Sequence, residues 1–293
     1  MVAKARLGMF VGSHQIQIED RAKDISFPTL IQYPTHTPST PTAFGPYVMD
    51  VSVDAPVAPG TFPLIVISHG GGGSHLVYRT ISTHLAKHGY IVTMPEHPGN
   101  NRHNNELEDT FENLVNRPRH ASLAIDAVTA HPQFKAYIRP HCVAAIGHSM
   151  GGYTALAMAG GTPWSKDRQR VDVAQDPRIQ ALVLLAPATA FYIPKNSLHQ
   201  VTAPILLLAA EHDSMTPRWQ TDLVLNRVPD RAKIIYKIIE NAGHFSFLSP
   251  FPSQMKNANF RPSTDPLGFD RDKFHKRLPQ EILAYLDEHL KNP

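Results

Sequence analysis

A mostly parallel α/β sheet with helices on both faces is the fold this sequence predicts, and three observations carry it. From Pro63 onward, short β-branched runs alternate with helical segments. Proline is abundant, 26 of 293 residues, roughly twice the ordinary share, which calls for long ordered loops and excludes an all-helical bundle. A serine flanked by glycines stands between one of those runs and a helix, in Gly147-His148-Ser149-Met150-Gly151-Gly152.

Taken in order, residues 27–33 and 47–53 read as strands, separated by the Pro/Thr-rich 34–41. With no helix between them, they are expected to form an antiparallel N-terminal edge. Residues 64–68 are a β-branched run ending in glycines, as a strand buried on both faces requires. A helix over 78–88, a strand over 90–94 and a helix over 119–130 follow. The strand 142–146 feeds the serine turn, and a helix over 150–159 leaves it. Three more strands, 181–185, 205–209 and 234–239, have a helix near 218–226 between the last two, and a helix over 274–290 closes the chain. Right-handed crossovers connect such strands. The whole is expected to be one domain, 1–293, with 1–60 as edge strands and loops and 61–293 as the core that carries the chemistry.

Composition narrows the class. Hydrophobic residues at 42% and charged residues at 18% describe a globular chain. Cys142 is the one cysteine, which excludes a disulfide framework and a Cys-based zinc cluster. A net charge of +3 without a long Lys/Arg run gives no nucleic-acid footprint. No run reaches the roughly 18 apolar residues of a membrane span. Residues 7–11 are too short an apolar stretch for a secretory leader, so a cytoplasmic protein without integral membrane association is expected.

The serine turn is G-x-S-x-G in its strand–turn–helix context. A serine on so sharp a turn holds strained backbone angles, and Gly147 and Gly151 remove side chains that would collide with it. The turn lifts the Ser149 hydroxyl above the sheet edge. It also leaves the Met150 amide at a helix N-terminus, suited to a developing oxyanion. A second donor is expected from His69-Gly70-Gly71-Gly72-Gly73, after the strand 64–68. These glycines lack the Lys-Ser/Thr ending of a phosphate-binding loop and the spacing of a dinucleotide fingerprint.

A serine hydroxyl needs a base, and the base a carboxylate to hold its tautomer. Asp213 follows the strand 205–209 and is preferred to Glu211, which is expected to support the loop. His244 follows the strand 234–239 and a flexible Gly243. His148 is expected to pack or hydrogen-bond below the serine, and His212 to face solvent. The other histidines, His120, His131, His141, His199, His275 and His289, are read as solvated or structural.

With Ser149, Asp213 and His244 in that order, the chain resembles the α/β-hydrolases. More narrowly, it is similar to the branch of dienelactone-hydrolase-like and platelet-activating-factor-acetylhydrolase-like proteins. The stretches that carry the likeness are Ser68-His69-Gly70, Glu96-His97-Pro98-Gly99-Asn100, Asn116-Arg117-Pro118 and Asn241-Ala242-Gly243-His244-Phe245. The resemblance implies Ser149, Asp213 and His244 as a triad, and the amides of Gly71 and Met150 as the oxyanion hole. The chain departs from both patterns. Dienelactone hydrolase uses cysteine where this chain has Ser149, and the acetylhydrolases carry a larger apolar residue where it has Gly71.

The expected reaction is a two-step acyl transfer on a small-molecule ester, with no metal or organic cofactor. Phe245, Phe247, Trp164, Phe191 and Tyr192 are expected to line the substrate site, joined by Leu248, Phe251 and Phe260, and favour an apolar acyl or alcohol group. Short segments between strands argue against a large mobile cap. A peptidase or amidase with the same triad, and a non-catalytic ligand-binding protein, are the alternatives.

Overall fold

The computed structural model describes residues 9–291. The leader reading of residues 7–11 falls in part on residues 1–8, outside the described residues. Ten strands, β1 (Phe10–Asp20), β2 (Ile25–Thr35), β3 (Thr40–Phe44), β4 (Tyr47–Val53), β5 (Phe62–Ser68), β6 (Ile91–Pro95), β7 (Ile138–His148), β8 (Ile179–Leu185), β9 (Ile205–Ala210) and β10 (Ile234–Ile239), join in one sheet. Its order is β10-β9-β8-β7-β5-β6-β2-β1-β4-β3. From β10 to β6 every neighbouring pair is parallel. Strands β2 and β1 continue the sheet antiparallel, a parallel contact joins β1 to β4, and β3 and β4 form a hairpin.

The core strands are buried from both sides, and their period of two divides each one between two hydrophobic clusters. On one side Ile65, Ile67, Ala144, Ile146, Val183 and Leu208 meet α1 (Arg79–Lys87) and α5 (Arg271–Leu286). On the other, Leu64, Val66, Ala145, Leu182 and Leu207 meet α2 (Phe111–Ala130), α3 (Met150–Met158) and α4 (Arg218–Arg227). Among the described residues no helix is long and apolar enough to cross a membrane.

Three elements differ from the sequence expectation, each for a physical reason. The strand β1 was not expected, because Ser13, His14, Gln15 and Gln17 dilute its apolar alternation. Eleven consecutive pairings with β2 hold it in place. The strand β3 lies in a proline-rich stretch expected as loop, and an edge strand tolerates proline because one side of its backbone is unpaired. The helix α2 starts at Phe111, not at 119, and runs through Pro118. Proline has no N–H to give Leu114, four residues back, and would orphan that carbonyl. The Tyr153 hydroxyl donates to Leu114 O at 2.8 Å, so the helix continues.

Candidate active site

The chain has an α/β-hydrolase fold, and the loops leaving the C-terminal ends of β5, β7, β9 and β10 are where that fold carries chemistry. The sheet reverses its direction of growth at β5, which lies between β6 and β7. Ser68 of β5 stands opposite Gly147 of β7, so the glycine loop and the serine turn emerge side by side.

Ser149 sits at φ 54° and ψ −119°, a left-handed position that strains a residue bearing a side chain. Its backbone is held at both ends. The N–H donates to Leu185 O at 3.1 Å, and the carbonyl accepts from Gly152 N at 2.8 Å and Ala188 N at 2.9 Å. The two flanking glycines are obligatory for contact reasons as well. A Cβ on Gly147 would overlap the Gly151 carbonyl, and one on Gly151 would overlap the Ser68 carbonyl, both rigid backbone. Gly151→Ala is therefore expected to cost about 3 kcal/mol or more, read as a lower urea midpoint at unchanged slope.

Asp213 leaves the end of β9, and its carboxylate is fully committed. Oδ1 accepts from Met215 N at 2.9 Å and Thr216 N at 2.8 Å. Oδ2 accepts from Thr216 Oγ1 at 2.7 Å and from His244 Nδ1 at 2.8 Å. Burial alone would push this carboxyl up, but His244 and the Thr216 donors outweigh it and hold Asp213 below the ordinary carboxylate value. His244 opens a short 3-10 turn, 244–247, beyond β10. Because Nδ1–H is given to Asp213, Nε2 is left as the ring's acceptor. Ser149 and His244 line the same cavity. Among the described residues no hydrogen bond joins their side chains.

The glycine loop is anchored at both its ends, Gly70 and Gly73. Gly70 N donates to the Tyr78 hydroxyl at 3.1 Å, His69 Nδ1 donates to Gly70 O at 2.8 Å, and Gly73 O accepts from Arg102 N at 2.8 Å. Among the described residues the N–H groups of Gly71 and Met150 have no protein partner. The Tyr78 hydroxyl passes its own proton to His148 Nδ1 at 3.0 Å, and His148 Nε2 donates to His244 O at 2.9 Å. A neutral ring is needed for that chain, and burial pushes His148 down to about 3. One relay thus braces the glycine loop against the histidine loop through the residue preceding Ser149. Sequence reasoning placed His148 below the serine but missed Tyr78 and Thr216, which carry no local signal of their partners.

Beneath the loop lies a fully buried arginine. Arg117 donates Nη1 to Asn100 Oδ1 at 2.6 Å, Nε to Thr154 Oγ1 at 3.2 Å, and Nη2 to both Ser68 Oγ and the His69 carbonyl. Among the described residues it has no carboxylate partner, and burial pushes it down to about 9. It ties β5, α3 and the loop after β6 into one floor. Glu211 accepts from Asn241 N at 2.8 Å and so supports the neighbouring loop, while His212 is exposed. Of the histidines read as solvated or structural, His120 and His275 are buried, and His141 and His199 are exposed.

The cavity at Ser149 has a volume of about 490 Å³, within the usual range for small-molecule sites. Phe245, Leu248 and Phe260 line it, while Phe191 and Met150 line a smaller adjoining recess that shares Gly71. The expectation that Phe247 and Tyr192 line the site is corrected. Both are fully buried in the core, Phe247 edge-on to Phe274, and Tyr192 donating its hydroxyl to Tyr153 O at 2.8 Å. Phe251 is also core, under the Arg271 guanidinium. Trp164, also expected at the site, lines neither the cavity nor the recess, and its backbone N–H donates to the Phe191 carbonyl at 2.8 Å. Tyr47 and Arg102, from segments far away in sequence, complete the walls instead. A wider cleft of about 910 Å³ runs between β1, β4, α1 and α5, away from Ser149. Among the described residues no group of three His, Cys, Asp or Glu has the arrangement to hold a metal ion.

Residues 63–202 match the family profile described as alpha/beta hydrolase fold. Chlorophyllase-1 of Arabidopsis thaliana is 28% identical over 116 residues, 38% of this chain and 33% of that protein, so the chain spans about a third of that relative's length. A solved ferulic acid esterase from Streptomyces cinnamoneus superposes with a TM-score of 0.75 over 99% of this chain and 92% of its own, at 16% identity. That likeness establishes the fold.

Proposed function

We propose that the protein is a serine hydrolase of carboxylic esters, working through a covalent acyl-enzyme. The observation that carries the reading is the 2.8 Å contact of His244 Nδ1 with Asp213 Oδ2, set in the cavity that Ser149 enters from a strained turn. Asp213 fixes the tautomer in which His244 Nε2 accepts the proton of Ser149 Oγ. The hydroxyl oxygen attacks the ester carbonyl, and the unpaired N–H groups of Gly71 and Met150 receive the oxyanion. His244 then returns its proton to the leaving alcohol. Water, deprotonated by the same ring, releases the acid and restores Ser149. The named activities of the two relatives, a chlorophyllase and a ferulic acid esterase, lie within this class. Within it, the Ser-His-Gly and His-Pro-Gly-Asn stretches support the dienelactone-hydrolase-like and acetylhydrolase-like branch.

A fluorophosphonate probe is expected to label the protein once, at Ser149, with Ser149→Ala unlabelled and inert toward p-nitrophenyl butyrate. Labelling elsewhere, or turnover near wild type in Ser149→Ala, overturns the reading.

A further inference from the structure

The turn that carries His244 is braced from two directions, and only one brace comes from the serine turn. His148 Nε2 holds the His244 carbonyl at 2.9 Å. The other brace comes from the long segment between β10 and α5. Gly243 N, one residue before His244, donates to Ser246 Oγ at 2.9 Å, and Ser246 Oγ donates in turn to Asp265 Oδ1 at 2.6 Å. Ser246 is buried, so its hydroxyl depends on these two partners. Pro266 packs on the same spot, its ring 3.1 Å from where a Cβ on Gly243 would stand. The Ser246 carbonyl is held separately by His275 Nε2 at 3.0 Å, so the turn keeps an anchor on α5 when the Asp265 link is cut.

Asp265 is itself fixed. Arg271, the first residue of α5, grips it with two bonds, Nε to Oδ2 and Nη2 to Oδ1, both at 2.9 Å. The same guanidinium takes the Pro262 carbonyl at 2.8 Å and the Thr264 carbonyl at 3.1 Å, and lies over the Phe251 ring. Phe251 in turn meets Phe260 edge-on, with ring centroids 5.4 Å apart. One arginine thus ties residues 260–265 to α5. The same segment supplies Met255, Phe260 and Pro262 to the wall of the Ser149 cavity.

A largely buried ion pair adds little net stability, because desolvation offsets most of its attraction. What this one supplies is placement. We infer that Asp265 is a positioning residue for the hydrolysis, its carboxylate coupling the cavity wall at residues 255–262 to the turn that presents His244. This rests on the ester-hydrolase reading, in which His244 is the base. The carboxylate has two duties that kinetics can separate. By accepting from Ser246 Oγ it sets the position of His244, and so kcat. By pairing with Arg271 it holds the wall, and so the KM of esters long enough to touch Met255 and Phe260.

The test uses p-nitrophenyl acetate and p-nitrophenyl octanoate, with rates expressed per site counted by fluorophosphonate labelling taken to completion. Ser246→Ala cuts the link but leaves Asp265 on Arg271. It is expected to lower kcat about tenfold on both esters, with the octanoate KM unchanged. Asp265→Ala lowers kcat by a similar factor and also raises the octanoate KM severalfold, while the acetate KM stays. Asp265→Asn keeps an acceptor for the Ser246 hydroxyl and retains part of the kcat that Asp265→Ala loses. The double variant of Ser246→Ala with Asp265→Ala falls no further in kcat than Asp265→Ala alone, since both remove one coupling. A kcat per labelled site near wild type in Ser246→Ala and Asp265→Ala, or losses that multiply in the double variant, overturns the inference while the hydrolase reading stands. If Asp265→Ala fails to fold by circular dichroism, the other two single variants decide: the inference survives only if Ser246→Ala lowers kcat more than Asp265→Asn does. A wild-type protein that neither labels nor turns over any ester removes the hydrolase reading and this inference together.

Discussion

Asp213→Asn is expected to lower kcat on a short ester by about four orders of magnitude with the fold intact. The four hydrogen bonds at this side chain decide the result. An aspartate accepts on both oxygens, from two amides on one side and from Thr216 Oγ1 and His244 Nδ1 on the other. An asparagine oriented by the Met215 and Thr216 amides keeps its oxygen there and turns its NH2 toward His244. Nδ1 must then become an acceptor, so the ring's proton moves to Nε2, where it blocks acceptance from Ser149. Thr216 Oγ1 can rotate its hydrogen to Ala186 O, at 3.1 Å, so the loop stays satisfied. The measurement is kcat against pH alongside circular dichroism. A loss below tenfold, with unchanged folding, contradicts the role given to Asp213.

Acid is expected to unfold this protein well above the pH at which its carboxylates titrate. Three histidines are held neutral by burial, His120 and His275 pushed down to about 4 and His148 to about 3. Burial together with the nearby Arg117 charge also pushes His69 and His97 well below the ordinary imidazole value. In the unfolded chain each titrates near 6.5. The unfolded state therefore takes up protons first as pH falls, so these groups favour folding fully above about 6.5 and progressively less down to about 4. At pH 5 each of His120, His275 and His148 costs on the order of 2 kcal/mol. Together these three, roughly 6 kcal/mol, reach the lower end of an ordinary domain's whole stability. Urea unfolding at pH 7.5 and 5.0 should show the native state close to lost at the lower pH. His120, which packs on Phe27 at 4.8 Å and leaves both ring nitrogens unpartnered, offers the control. His120→Phe should recover about 2 kcal/mol at pH 5. Equal stability at the two pH values contradicts the account.

What could be read along the chain was whatever depends on neighbours a few residues away. Alternating apolar runs and helical segments gave the strand–helix rhythm, because a strand between two helical layers needs apolar side chains on both faces. The serine turn was legible because its two glycines are demanded by backbone atoms within the same turn and on β5. Asp213 and His244 were legible as positions beyond late strands, and the 2.8 Å contact between them follows from the parallel pairing of β9 with β10.

The walls of the cavity were not legible. Phe245 and Phe247 stand two residues apart on one short turn, yet one lines the cavity and the other is fully buried against Phe274. No local pattern separates them, since the choice belongs to α5, packed against the far side. Tyr47 reaches the site because β1 carries the β3–β4 hairpin to the sheet edge, and Arg102 because its amide pairs with the glycine loop. The sequence by itself thus determined the fold class and the order of the reacting groups, which are written in short-range periodicity and turn chemistry. Only the tertiary structure decided which charges and rings line the cavity at Ser149, because that depends on contacts between segments that nothing in the local chain connects.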